Sequence, residues 1–312
     1  MHAFTFPGQG SQAVGMGKDL AEAFPAARAV FEEVDSSLDQ NLSKLMFEGP
    51  LEDLTLTENS QPALMAVSMA VVRALEAEGY LLTDIAGYVA GHSLGEFSAL
   101  VAVGTLPLSD ACVLLKKRGQ AMQRAVPVGE GAMAALLGLD FETAREVAQE
   151  AAGAEVCTTA NDNAPGQVVI SGHKDAVARA IEIAKKRGAK RGILLPVSAP
   201  FHCPLMAPAA VEMEAALDII EMFPPSLPII SNVTALPITD VKEIRHLLVQ
   251  QVTSVVRWRE SILKLSDLGV LRVVECGAGK VLSGLAKRID PTLEISNIQT
   301  AQDLEFFVKN QL

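Results

Sequence analysis

Gly87-Tyr88-Val89-Ala90-Gly91-His92-Ser93-Leu94-Gly95-Glu96 is the stretch that decides the fold. A short apolar run meets a Gly-x-Ser-x-Gly turn, and the turn opens straight into an apolar helical stretch from Leu94 to about Val103. A serine on so tight a strand-to-helix junction needs small flanking residues. Its hydroxyl then stands at the tip of a sheet, at the positive N-terminal end of the next helix, where the backbone N–H of Leu94 can face a developing oxyanion. The bland reading is a βα turn whose serine caps the helix. Strand and helix both being in place favours a nucleophile, Ser93.

Working outward, the same alternation recurs. Ala3–Phe6 reads as a strand stopped by Pro7-Gly8, and the loop to Gln12 feeds a helical stretch from about Met16 to Val34. Asn59-Ser60-Gln61-Pro62 reads as a helix start for a buried element running to Gly79, and Ser109 as the cap of a helix ending at Ala125. Strands and helices at this spacing predict a parallel α/β sheet covered on both faces, an α/β-hydrolase-like arrangement.

Between Val128 and Val197 six elements follow in the order β-α-β-β-α-β: Met133–Leu137, Phe141–Ala152, Val156–Ala160, Gln167–Ser171, Lys174–Arg187 and Gly192–Pro196. That order is ferredoxin-like. The expectation is a large catalytic domain of residues 1–127 and 199–312, interrupted by a small domain of residues 128–198, with a ligand cleft between them. Beyond the insert, helices are expected near Pro204–Ile219, Val241–Gln251 and Trp258–Leu268, strands at Pro228–Ser231 and Val270–Glu275, and a last helix at Val281–Ile289.

Composition narrows the function. With 49% hydrophobic and 20% charged residues, the 312-residue chain is neither disordered nor fibrous. One Trp and two Tyr argue against stacking platforms for bases or sugars. A net charge of -11 repels nucleic acid and anionic membranes, so an anionic partner needs a local basic patch. Cys112, Cys157, Cys203 and Cys276 match no metal-ligand spacing and read as buried hydrophobes. No basic leader precedes Phe4, and no run reaches the ~18 apolar residues of a membrane span, so the expected setting is the cytoplasm.

A serine hydroxyl needs a base, and the chain offers five histidines. His2 sits at a terminus, His173 and His246 on polar helical stretches, and His92 points away from its neighbour Ser93. His202 remains, in the proline-bounded loop Ser198-Ala199-Pro200-Phe201-His202-Cys203-Pro204. Taken alone, a histidine in such a loop is more often structural; taken with Ser93 it is a candidate base. Arg118 lies within the apolar stripe Ala111, Leu114, Leu115, Ala121, Met122 and Ala125, unlike Lys116 and Lys117. A buried guanidinium must be paired, and either a protein carboxylate or a substrate carboxylate would satisfy it.

Assembled, these residues resemble the malonyl-CoA:acyl carrier protein transacylase family of type II fatty acid synthesis, from end to end. The motifs are Pro7-Gly8-Gln9-Gly10-Ser11-Gln12, His92-Ser93-Leu94-Gly95-Glu96, Arg118-Gly119-Gln120-Ala121-Met122, Asn163 to Gly172, Phe201-His202, and Gln251 seven residues before Trp258. The resemblance implies a Ser93–His202 dyad whose imidazole is oriented by the backbone carbonyl of Gln251. It implies an oxyanion hole from the N–H groups of Gln12 and Leu94, and Arg118 as the grip on the malonyl carboxylate. Phe201 resembles the Phe-His pair of malonyl-selective domains, where a bulky ring crowds a C2 methyl group; otherwise it packs the cleft wall.

No cofactor is implied beyond the substrates malonyl-CoA and holo acyl carrier protein, and a monomer is expected. Two basic clusters are candidates for carrier docking: Lys185-Lys186-Arg187 with Lys190-Arg191, and Lys280 with Lys287-Arg288. Ser254-Val255, where the family often has Asn-Pro, and Gly277-Ala278-Gly279, where it more often has Gly-Pro-Gly, are departures. The rival readings are a serine esterase or thioesterase, which would release free acid to water, and a silent scaffold that only binds.

Overall fold

The computed structural model describes residues 1–311. Its strands, in chain order, are β1 (His2–Phe6), β2 (Tyr88–Gly91), β3 (Gly131–Leu137), β4 (Cys157–Ala164), β5 (Gln167–His173), β6 (Arg191–Leu194), β7 (Ile229–Ile230), β8 (Pro237–Ile238), β9 (Arg272–Cys276) and β10 (Glu294–Ile298). They form two sheets. The larger has the order β10-β9-β1-β2-β7-β8 and is parallel except for the β7–β8 pair. The smaller, β4-β5-β3-β6, is antiparallel and carries the helices Phe141–Ala152 and Lys174–Lys186, which gives the ferredoxin-like order.

Register along β1 and β2 positions the site. Phe6 lies opposite Gly91, so the loop after β1 and the turn after β2 leave the carboxyl edge of the sheet side by side. The His92 N–H donates to the Phe6 carbonyl at 3.1 Å and closes that contact. In open α/β sheets the carboxyl edge is where ligands bind, because adjacent loops diverge there. Two glycines make the approach feasible. A Cβ on Gly91 would stand 1.9 Å from the Gly95 backbone, and one on Gly95 would stand 2.2 Å from the Phe6 carbonyl oxygen.

Two helices flank the turn. The Thr57–Ala77 helix is apolar on nearly every side and buried along almost its whole length. Against it packs the Leu108–Ala125 helix, closely enough that a Cβ on Gly119 would stand 2.6 Å from Glu58 Cα. Strand alternation explains how the small sheet joins the rest. Ala134 and Leu136 face its own two helices, whereas Met133 and Ala135 join the main core. A parallel bridge between Asn161 and Val256 and an ion pair of 2.8 Å between Arg259 and buried Asp162 tie β4 to the segment before and within the Trp258–Asp267 helix.

Several expected boundaries move. The helix expected over Met16–Val34 is two, Lys18–Ala23 and Pro25–Leu38. Phe24 is extended between them, as the residue before a proline is pushed out of the helical region. The buried helix begins at Thr57 rather than at Asn59, and it carries Pro62 inside. Ser109 does not cap the Leu108–Ala125 helix; Pro107 stands at the cap position and Ser109 lies within. Val281–Ile289 is not the last helix, for edge strand β10 and the helix Ala301–Gln311 follow. His2 belongs to β1 rather than to a free terminus. All four cysteines are buried and free. Among the described residues, no helix is long and apolar enough to cross a membrane.

Candidate active site

Ser93 takes a left-handed backbone conformation, φ +53°, which a non-glycine residue holds only when its surroundings fix it. Asn232, two residues past β7, does the fixing. Its Oδ1 accepts the Ser93 N–H at 2.7 Å, and its Nδ2 donates to the Gly91 carbonyl at 2.6 Å. The Ser93 hydroxyl is thereby aimed at His202, with Oγ 2.8 Å from Nε2. His202 Nδ1 lies 2.9 Å from the Gln251 carbonyl oxygen. A carbonyl only accepts, so Nδ1 carries the proton and Nε2 presents a lone pair to the serine. The Ser254-Val255 departure leaves this carbonyl in place, since the Val256 N–H is anchored on the Ala160 carbonyl at 2.9 Å.

His202 is buried, and burial together with the nearby Arg118 guanidinium pushes its pKa down to about 3. The imidazole is therefore neutral, and free to act as a base, at any ordinary pH. His92 turns away from the nucleophile, as its place in the chain requires. Its Nε2 lies 2.9 Å from Asn163 Oδ1, and its ring rests 5.6 Å from that of Trp258.

Arg118 is 1% exposed, as its place in the apolar stripe demands. Its partners are neutral oxygens. Nη1 donates to Gln61 Oε1 at 2.8 Å, and Nη2 donates to Gln251 Oε1 at 2.8 Å and to Ser93 Oγ at 3.1 Å. Among the described residues no carboxylate oxygen pairs with it directly, and its Nε is buried without a partner. Its pKa falls to about 10 through burial, partly offset by the charge of Glu96. Glu96 is itself buried, and that burial raises its carboxyl to about 7 despite a 2.5 Å hydrogen bond from Gln251 Nε2.

These groups open on a cavity of about 440 Å³. The same cavity is lined by Gln12, Leu94, Phe201 and His202, and by Met133, Asn161 and Leu195 from the small sheet and its return. All seven candidates from the sequence thus converge: six stand on the cavity wall, and Gln251 bonds three of them, Ser93, Arg118 and His202, from behind. Sequence reasoning missed Asn232, Gln61 and the part played by Glu96. Asn232 had one usable signal, an asparagine just past the carboxyl end of a strand. Glu96 had another, an acid in the apolar first turn of the Gly95–Ala102 helix.

A hydroxyl on a strand-to-helix elbow, an imidazole fixed in its accepting tautomer and a cation without a carboxylate partner face one cavity, and these are the groups that serine-based acyl transfer on an α/β scaffold requires. Comparison with known proteins agrees. Residues 3–304 match the family model described as acyl transferase domain. The malonyl CoA-acyl carrier protein transacylase of Bacillus subtilis is 46% identical over 308 residues, covering 98% of this chain and 96% of that protein. The acyl-carrier-protein-S-malonyltransferase of Bartonella henselae superposes with a TM-score of 0.97 at 54% identity, covering 99% of this chain and 98% of that one. A type II PKS acyl-carrier protein in complex with its malonyl-transacylase matches at a TM-score of 0.96 and 42% identity, covering 99% of both chains. The chain belongs to the malonyl CoA-acyl carrier protein transacylases of the acyl transferase family.

Proposed function

We propose that the chain transfers a malonyl group from malonyl-CoA to the phosphopantetheine thiol of an acyl carrier protein, through a malonyl ester on Ser93. The observation that carries the assignment is Arg118: a buried guanidinium whose hydrogen-bond partners are all neutral oxygens and whose Nε has none, with Nη2 3.1 Å from the nucleophilic Oγ. In a malonyl thioester a single carbon separates the reacting carbonyl from the free carboxylate. A cation that close to Oγ meets the carboxylate as Oγ meets the carbonyl carbon, and orients the substrate as well as binding it.

Ser93 Oγ attacks the thioester carbonyl while its proton passes to His202 Nε2. The C–S bond breaks, and the proton leaves with the sulfur of coenzyme A. In the second half the carrier thiol gives its proton to His202, attacks the ester carbonyl, and Ser93 recovers the proton as the C–O bond breaks. The N–H groups of Gln12 and Leu94, two residues that line the same cavity, serve as the oxyanion hole; each such donor contributes roughly 10²–10³ in rate. Burial and, next to it, Arg118 depress the basicity of His202. A bound malonyl carboxylate cancels part of that charge, so the substrate strengthens the base that will act on it.

Two further readings follow. Residues 128–198 form a small domain inserted into a large one of residues 1–127 and 199–312. Carrier docking is assigned to the cations that no acidic side chain among the described residues neutralises: Lys186, Lys190 and Arg191 in one cluster, where Lys185 is paired with Glu182 and Arg187 with Glu146 and Glu150, and Lys280, Lys287 and Arg288 in the other. The experiment is intact mass spectrometry after mixing with malonyl-CoA, followed by addition of holo acyl carrier protein. A malonyl adduct on Ser93 that moves to the carrier thiol is the expected result. No adduct, or loss of the adduct to water, sinks the assignment and favours the esterase.

A further inference from the structure

Glu96 makes no contact with the cavity, yet its carboxylate holds two residues that between them touch nearly every working group. Oε2 accepts the Gln251 side-chain amide at 2.5 Å, and Oε1 accepts the Asn232 backbone N–H at 3.3 Å. The same Gln251 amide donates to the Ser93 carbonyl at 3.0 Å. With both acceptors on its nitrogen side, the amide can turn only its oxygen toward Arg118, where Nη2 lies at 2.8 Å. The deprotonated carboxyl does this because it accepts on both oxygens and donates on neither; with its pKa raised to about 7 by burial, that form prevails above neutral pH, so the variants below are compared at pH 8.

We propose that Glu96 is the positioning residue for acyl selectivity: through Gln251 it holds the Arg118 guanidinium where the malonyl carboxylate arrives. Deprotonated, it also supplies the buried negative charge that offsets Arg118, one hydrogen-bonded residue removed so that the guanidinium stays open to the substrate. Burial of a lone cation would otherwise be costly, and a direct ion pair would compete with malonyl for the same donors. The inference rests on Arg118 being the carboxylate grip.

Glu96→Gln places an amide that both donates and accepts where two donors converge. Either the Asn232 N–H loses its acceptor, or the Gln251 amide turns and points its NH2 at Arg118. The kcat/KM for Ser93 acylation is measured by quenched-flow intact mass for wild type, E96Q, R118A and the double variant, with malonyl-CoA and acetyl-CoA. E96Q is expected to lose about tenfold or more with malonyl-CoA, the factor carried by one charge-assisted hydrogen bond, and less than about threefold with acetyl-CoA. In the R118A background, E96Q leaves the malonyl-to-acetyl ratio unchanged. Glu96→Asp keeps an acceptor-only carboxylate, is expected to hold that ratio within about threefold of wild type, and decides the matter if E96Q does not fold. An equal loss with both acyl groups, or a ratio shift that persists without Arg118, overturns the proposal. A wild type that forms no malonyl adduct overturns the transacylase reading as well, whereas a normal wild type with an unshifted E96Q overturns only the role of Glu96.

Discussion

Replacing Arg118 with alanine removes a guanidinium whose two terminal nitrogens face Gln61, Gln251 and Ser93 across distances of 2.8 to 3.1 Å. In the acylation transition state that group would hold the malonyl carboxylate with two parallel charge-assisted hydrogen bonds, each worth about 1.5–3 kcal/mol. The site is buried, so solvent screens little of this interaction. Losing both bonds corresponds to a fall of roughly 10²–10⁴ in kcat/KM for malonyl-CoA, at 1.36 kcal/mol per factor of ten. Acetyl-CoA has no carboxylate to lose. For it the variant removes only a desolvated cation, and with it the charge that weakens His202, so acetyl transfer holds steady or rises. The assay is the rate of adduct formation on Ser93 with each thioester, read by mass after acid quench, with thermal melts as a control for folding. A fall of the same size with both thioesters would show that Arg118 supports the elbow rather than the substrate, and the reasoning from its neutral partners would be refuted.

Asn232→Ala deletes the acceptor for the Ser93 N–H and the donor to the Gly91 carbonyl. Acylation is expected to slow by roughly 10–100-fold with malonyl- and acetyl-CoA alike, since the elbow serves both; a selective loss would point elsewhere. Burial holds His202 near 3, below its ordinary 6.5, so acylation by the neutral ester p-nitrophenyl acetate is expected to stay level between pH 7 and pH 5, read as nitrophenolate release. The same depression favours the folded state above pH 6.5, and that contribution fades as pH falls from 6.5 toward 3, which a pH series of melting temperatures follows. A rate limb centred at 6.5 would contradict a buried neutral imidazole. Phe201→Ser opens the cavity wall next to His202 and is expected to raise transfer from methylmalonyl-CoA relative to malonyl-CoA; competition between the two thioesters measures it, and an unchanged ratio makes Phe201 a packing residue.

Local sequence carried most of the elements, because they depend on neighbours in the chain. The Gly91–Gly95 turn needs two missing side chains, and both glycines are visible in the sequence. Arg118 betrayed itself by sitting in an apolar stripe, and the β-α-β-β-α-β order of residues 131–194 could be read from periodicity alone. Among the elements that escaped, the two-residue β8 and the polar edge strand β10 lack the apolar pattern that marks a buried strand, and the helices Leu42–Glu48, Leu51–Thr55 and Leu82–Ile85 are too short to show a helical period.

Other features had no local signature. Phe6 facing Gly91 is a register, set by strand pairing between segments some eighty residues apart, and the loops that leave those two strands carry Gln12 and Leu94 to one cavity wall. Whether Arg118 met a protein carboxylate or waited for one depended on which side chains three other elements delivered to it. The fold supplies the oxygens of Gln61, Gln251 and Ser93 and keeps Glu96 one residue away. The sequence by itself therefore determined which chemical groups the protein has and which turns can carry them. Tertiary structure decided which of those groups meet, because a hydrogen bond is a matter of a few tenths of an ångström in space and leaves no trace in the order of residues along the chain.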